Sequence, residues 1–309
     1  MKPADIALAL LVVVAWGVNF VVVKVGVTHI PPLLLGALRF MLAAFPALLL
    51  VPRPKLPLKL YLAYGFTASV GQFAFLFTAV HLGMPTGLAS LVLQSQAFFT
   101  LVLAAFFLKE HWGMHQLGGL ALAGGGLVLI GSAHGAHMPL LGFGLTLAAA
   151  LSWASSNIVT RVISARGPIH QVGLVVWGSL VPPIPFLILS AWLEGPDAML
   201  QALQAFDWEA LAALAYLSGV ATLFGYSVWT RLLTRYPANQ VAPFSLLVPV
   251  VGLTAGWLVY GEALQPVHLA GAALLMLGLA VNLWGGRWLA RWARAGNSDG
   301  RRGAGTRRQ

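Results

Sequence analysis

Long apolar runs alternate along the chain with short breaks rich in Pro, Gly and charge. A helix needs about 20 predominantly apolar residues to cross a bilayer. Ten runs qualify: residues 5–24, 32–51, 60–80, 87–108, 115–132, 140–160, 171–192, 209–231, 239–260 and 266–286. Pro31-Pro32, the stretch from Pro52 to Pro57, Met84-Pro85, Gly167-Pro168, Gly195-Pro196 and Pro237 punctuate most boundaries. The joins are short, so the pattern predicts a compact bundle without a separate soluble domain. Lys2 precedes the first run, which continues to Val23 without a convincing small-x-small cleavage site, so it reads as a retained span.

The second half of the pattern repeats the first. Trp16, Lys24 and Pro31 match Trp153, Arg161 and Pro168 at one offset of 137. Thr78, Pro85, Glu110, Gly119 and Gly126 match Thr230, Pro237, Glu262, Gly271 and Gly278 at an offset of 152. The difference fits the longer join at 193–208, read as a loop. Each half then holds five spans. Five is odd, so the second half enters the membrane upside down. Inverted repeats of this kind are a transporter device, with the solute site at the repeat interface. The expected organisation is a first repeat over 1–138, an inverted second repeat over 139–286, and an Arg-rich tail over 287–309.

Composition sharpens this reading. The chain has 309 residues, 59% hydrophobic and 8% charged, with a mean hydropathy of +0.84. A soluble domain carries about 25% charged residues, so the fold class is an all-α membrane protein. The absence of cysteine excludes a disulfide scaffold, a zinc–thiolate site and a cysteine nucleophile. The net charge of +10 is placed by orientation. With the N-terminus inside, sixteen of the eighteen Lys and Arg fall on the inner side, leaving Lys24 and Arg39. Both termini of this multi-pass chain are therefore expected in the cytoplasm. Trp284, Trp288 and Trp292 share one helix face beside Arg287, Arg291 and Arg294, which suits an interfacial helix on anionic lipid. Residues 296–309 read as disordered. The expected partners are a small-molecule substrate and the lipid bilayer, not nucleic acid, with the chain a monomer or a weak homo-oligomer.

Polar residues inside a span are costly and are functional candidates by default. Span 1 carries Trp16 and Asn19, span 3 Gln72, and span 4 the run Gln94, Ser95, Gln96. Span 6 carries Trp153, Ser155, Ser156 and Asn157, span 7 Trp177, span 8 Tyr226, and span 9 Ser245 between Pro243 and Pro249. The amides supply neutral donors and acceptors for a polar solute. The competing reading joins helix to helix, at about 0.6–2 kcal/mol per bond. The expected binding set is Trp16, Asn19, Gln72, Gln94, Gln96, Trp153, Asn157, Tyr226 and Ser245. Lys24 and Arg161, at repeat-related span ends, are either gate charges or snorkelling side chains. Glu110 and Glu262 read as salt-bridge partners or loop caps. Arg39 sits well inside span 2 and matches Val176 in the other half; a carboxylate-binding role and a bond to helix-end carbonyls are both open. The glycines of span 5 read as packing positions. Pro243, Pro249 and the prolines at 182, 183 and 185 are expected to break their helices and free carbonyls.

Enzyme signals are poor: there is no Gly-x-Ser-x-Gly, His-Glu-x-x-His or Walker loop, and no mid-span carboxylate. No cofactor or metal is expected. His111/His115 and His134/His137 lack a third ligand.

The stretches WGVNFVVVKVG from Trp16 and WASSNIVTRV from Trp153 resemble the EamA family of the drug/metabolite transporter superfamily. So do PPLLLGALRFMLAAFPALL in span 2, GMPTGLASLVLQSQAFFT before and into span 4, and VAPFSLLVPVVGL in span 9. The resemblance runs from about residue 4 to 290. It implies the superfamily fold and a cavity lined by spans 1, 3, 4, 6, 8 and 9. It also implies export of cysteine-pathway metabolites of the O-acetylserine type, with aromatic or other neutral amino acids, or drug-like metabolites, as the alternative. A membrane enzyme is the remote alternative.

Overall fold

The computed structural model describes the backbone of residues 1–132, 138–167, 169–236 and 238–304; side chains at 171, 234, 238, 239, 242 and 287–304 are outside the description. Pro168, Pro237, His134, His137 and the tail's Trp and Arg side chains therefore lie beyond the described residues, Trp284 excepted. Among the described residues, ten helical segments are long and apolar enough to span a membrane. Span 1 is Pro3–His29, span 2 Pro32–Leu49, span 3 Leu58–His81, span 4 Thr86–Leu108 and span 5 Met114–Ser132. Span 6 is Leu140–Ser164, span 7 Val172–Leu193, span 8 Trp208–Leu233, span 9 Pro243–Tyr260 and span 10 Pro266–Gly286. The face where span 1 begins and span 10 ends is called here the entry face.

One expectation needs correction. The join at 193–208 is not a plain loop, since Pro196–Gln204 forms a helix. Its Glu194 accepts the Leu33 and Leu34 amides at 2.7 and 3.2 Å and caps span 2. The last helix is Pro266–Ala304.

The sequence repeat is written into the helix irregularities. Span 4 is interrupted by a tight turn at Leu93–Ser95. Span 9 breaks where an α-helix ends at Ser245 and another begins at Val248. These positions are related by the same offset of 152. The expected proline break in span 9 is thus present, and Pro243 lies inside the shorter helix. Spans 3 and 8 each widen into a π-helical turn, at Phe66–Gly71 and Tyr216–Phe224, again at matching positions. Such turns concentrate at functional sites.

The two halves meet through matching contacts. Spans 5 and 10 touch at glycines: a Cβ added to Gly119 would lie 2.8 Å from the Gly278 carbonyl oxygen, and one on Gly126 2.6 Å from that of Gly271. These glycine pairs exchange partners under the repeat, which places a pseudo-two-fold axis between the two spans. On the other side, span 1 packs on span 9, where a Cβ at Gly17 would strike Val251. Most of the buried side chains form one continuous core across both halves, including Phe77, Phe186, Leu34 and Leu91.

The few carboxylates work at helix ends. Asp207 accepts the Ala210 amide at 2.8 Å at the start of span 8. That amide holds its carboxyl below the usual range against some desolvation, and neighbouring His29 adds to the effect. The sign follows from the lowered value: the cap is present at neutral pH and is lost only as pH falls through it. At the entry face, Asp5 takes the Tyr236 hydroxyl at 2.7 Å and Arg235 at 3.4 Å, joining the start of span 1 to the end of span 8.

Candidate functional site

A cavity of about 460 Å³ lies between the two repeats. All nine residues of the expected binding set line it. Span 1 contributes Trp16 and Asn19, span 3 Gln72, and span 4 Gln94 within its tight turn and Gln96 just after it. Span 6 contributes Trp153 and Asn157, span 8 Tyr226, and span 9 Ser245 at its break. Spans 2 and 10 also reach the wall, through Arg39 and through Leu279, Asn282 and Leu283, which widens the expected six-span lining. The lining includes Leu233 and Leu283, near the entry-face ends of spans 8 and 10. A second, smaller hollow of about 170 Å³ shares Arg39, Gln72 and Asn157 with the first.

The helix breaks explain why these polar groups are held in place. The break in span 9 leaves the Ser245 carbonyl to accept from Gln94 Nε2 at 3.1 Å. Asn157 donates to Gln96 Oε1 at 2.8 Å and to Thr100 at 3.0 Å, tying span 6 to span 4. In the π turn of span 8, the Ala221 carbonyl accepts from Trp16 Nε1 at 3.0 Å. Trp16 also packs against Tyr226 and Trp229, with ring centroids 5.4 and 5.2 Å away. Several members of the expected set therefore bond between helices while also walling the cavity. Trp16→Phe keeps an aromatic wall but strands the Ala221 carbonyl. The expected cost is roughly 1 kcal/mol, read as a lower melting temperature in detergent.

Arg39 stands apart from the other two basic candidates. It is 2% exposed. Its Nη2 donates to Thr222 at 3.1 Å, and its guanidinium lies 4.1 Å from the centroid of the Phe73 ring. Nε and Nη1 are buried without an acceptor among the described residues. Asn19 Oδ1, on the same cavity, is likewise buried and without a donor.

Lys24 and Arg161 pair across the repeats. Lys24 Nζ is 3.3 Å from Glu262 Oε1 and 3.9 Å from the centre of the Tyr260 ring. Glu262 also accepts the Thr86 amide at 2.8 Å, the Thr86 hydroxyl at 3.1 Å and the Gly87 amide at 3.0 Å. It thus caps span 4 and closes the bundle on the face opposite the entry face. The carboxylate side chain is 12% exposed. At the entry face, Arg161 meets Glu110 at 2.7 Å, with both side chains 50% exposed. The two pairs are repeat images, one partly buried and one half-exposed.

Other candidates lie elsewhere. Trp177 donates to the Val51 carbonyl at 2.9 Å and is absent from the cavity wall. Ser155 is half-buried, bonds back to Leu151 and is absent from the cavity wall. Among the described residues no group of three potential metal ligands occurs. Sequence reasoning missed Thr222, Thr100, Ser90, Trp229 and Asn282. Asn282, an amide inside span 10, was a visible signal; a threonine among apolar residues is not.

Residues 4–132 and 140–284 match the model of the EamA-like transporter family. A Salmonella typhimurium protein named "Probable amino-acid metabolite efflux pump" is 54% identical over 290 residues, covering 93% of this chain and 97% of its own. An Escherichia coli protein of the same name is 52% identical with the same coverage. A Streptantibioticus cattleyicolor protein named "Probable terminal-alkyne amino-acid exporter" is 26% identical over 87% of this chain and 90% of its own. A crystal structure of a protein 20% identical superposes with a TM-score of 0.61, covering 91% of this chain and 96% of the other, which shows a shared fold.

Proposed function

The chain belongs to the EamA-like transporter family, and from that premise we propose that it exports small polar amino-acid metabolites, of the cysteine and O-acetylserine type, by alternating access around the central cavity. The repeats over 1–138 and 139–286 are the two moving parts. The bacterial inner membrane is the site, with the entry face in the cytoplasm. The count of basic residues supports that orientation. The Salmonella and Escherichia relatives support an amino-acid metabolite as cargo.

The observation that carries the reading is the cavity's position and wall. It lies at the repeat interface, where transporters of inverted topology hold their solute. Neutral amides and one buried guanidinium line it. Both side chains of the entry-face ion pair are half-exposed, whereas its repeat image sets Lys24, 33% exposed, against Glu262, 12% exposed. That asymmetry supports loading from the cytoplasm. Substrate-side binding is assigned to Asn19, Gln72, Gln94, Gln96, Asn157 and Ser245, with Trp16, Trp153 and Tyr226 as walls. Lys24 and Arg161 act as gate charges.

A second reading takes aromatic or other neutral amino acids. The Trp16, Tyr226 and Trp229 cluster favours it. Counterflow in proteoliposomes separates the two. Labelled cysteine and O-acetylserine are expected to exchange in preference to tryptophan and phenylalanine. Preferential aromatic flux moves the cargo to the second reading. Running the assay with and without a pH gradient reads proton coupling directly.

A further inference from the structure

We propose that Arg39 is the anchor for a carboxylate on the transported solute, so that a free carboxylate is the feature that the cavity selects. The inference rests on the transport reading above. A buried charge is expensive unless it is paired and its hydrogen bonds are satisfied. Arg39 is almost fully buried, yet no carboxylate lies within 4 Å of it among the described residues. Thr222 engages Nη2 alone, while Nε and Nη1 carry three of the five N–H groups and have no acceptor. An arginine that merely braced the bundle would spend these donors on protein carbonyls.

Symmetry gives a second, independent reason. The scaffold features come in repeat-related pairs: two π turns, two broken helices, two ion pairs and two glycine contacts. Arg39 has no such partner, because the matching residue is Val176. The charge departs from the pattern at the cavity, where it borders both hollows. A turn of the long side chain away from Thr222 presents the unsatisfied donors to a solute oxygen. The planar fork then accepts a carboxylate bidentately. Asn19 Oδ1, buried on the same wall without a donor, supplies an acceptor for the ammonium end of a zwitterion.

The experiment compares three probes in proteoliposomes of the full chain: L-cysteine, its methyl ester and cysteamine, all under reductant. The ester and the amine keep the thiol and nitrogen but lack the carboxylate. Each is expected to compete with labelled cysteine at least tenfold more weakly than cysteine itself, since a site built for a hydrogen-bonding group rejects analogues without it. In Arg39→Gln that preference should vanish, and Arg39→Lys should retain part of it. The wild-type comparison needs no variant, so a misfolded Arg39→Gln leaves the test intact. Ester and amine competing as well as cysteine would overturn the inference while leaving amino-acid export standing. If no amino acid moves, melting temperatures decide. Stabilisation by lactate in the wild type but not in Arg39→Gln would support the carboxylate anchor and overturn the amino-acid cargo. No stabilisation by lactate or by cysteine would overturn both.

Discussion

Glu262→Ala is expected to lower export at least tenfold and to leave the cavity reachable from the face opposite the entry face. The side chain holds four groups at once: the Lys24 ammonium, the Thr86 amide and hydroxyl, and the Gly87 amide. Losing a helix N-terminal cap alone costs about 1 kcal/mol. Stranding Lys24 adds to that, and each 1.4 kcal/mol moves a two-state equilibrium tenfold. Glu110→Ala is the informative contrast. Its pair with Arg161 is half-exposed and contributes at most about 1 kcal/mol in this state. If that pair tightens when the entry face closes, Glu110→Ala biases the protein the other way, toward the entry-open form. Side-specific thiol labelling reads both shifts, because the natural chain has no cysteine to interfere. Equal labelling of both variants from both faces would remove the ion pairs from the gating account.

The second large effect falls on stability. Gly126→Leu and Gly271→Leu are expected to lower the melting temperature equally, since they spoil one shared contact. A Cβ at either glycine lies 2.6 or 2.8 Å from the other's carbonyl oxygen, and backbone cannot swing aside. Overpacking a well-fitted interface costs about 1–3 kcal/mol. Gly118, Gly124 and Gly125 sit on the same helix with open space where a Cβ would go. Gly125→Leu should therefore melt within a degree or two of the natural protein. Similar losses at Gly125 and Gly126 would contradict the packing described here.

The span pattern and the inverted repeat were legible because membrane insertion demands long apolar runs and the repeat left Trp, Pro, Glu and Gly at fixed offsets. Polarity inside a span was just as readable: the nine mid-span candidates converge on one cavity. What stayed hidden was pairing. Glu110 and Glu262 read as salt-bridge partners or loop caps, but no spacing told which basic residue each would meet, because the contacts run between halves more than fifty residues apart. Trp177 and Ser155 were polar candidates that point elsewhere, since helix rotation is set by packing that a single sequence does not show. The span 5 glycines read as packing positions, which holds for Gly119 and Gly126 against span 10 and not for Gly118, Gly124 and Gly125. Arg39 kept two readings open in the sequence, and burial with two unsatisfied nitrogens gives the carboxylate role its weight.

Alternating access is most directly tested by one accessibility measurement. Leu246 lines the cavity at the break in span 9. A single Leu246→Cys in sealed vesicles of each orientation is exposed to a membrane-impermeant thiol reagent, with and without saturating O-acetylserine, which carries no thiol, on the far side as the driving solute. The account predicts labelling from the entry face at rest and from both faces during exchange, with flux falling as the introduced side chain is modified. Full-rate exchange with labelling confined to one face would contradict it.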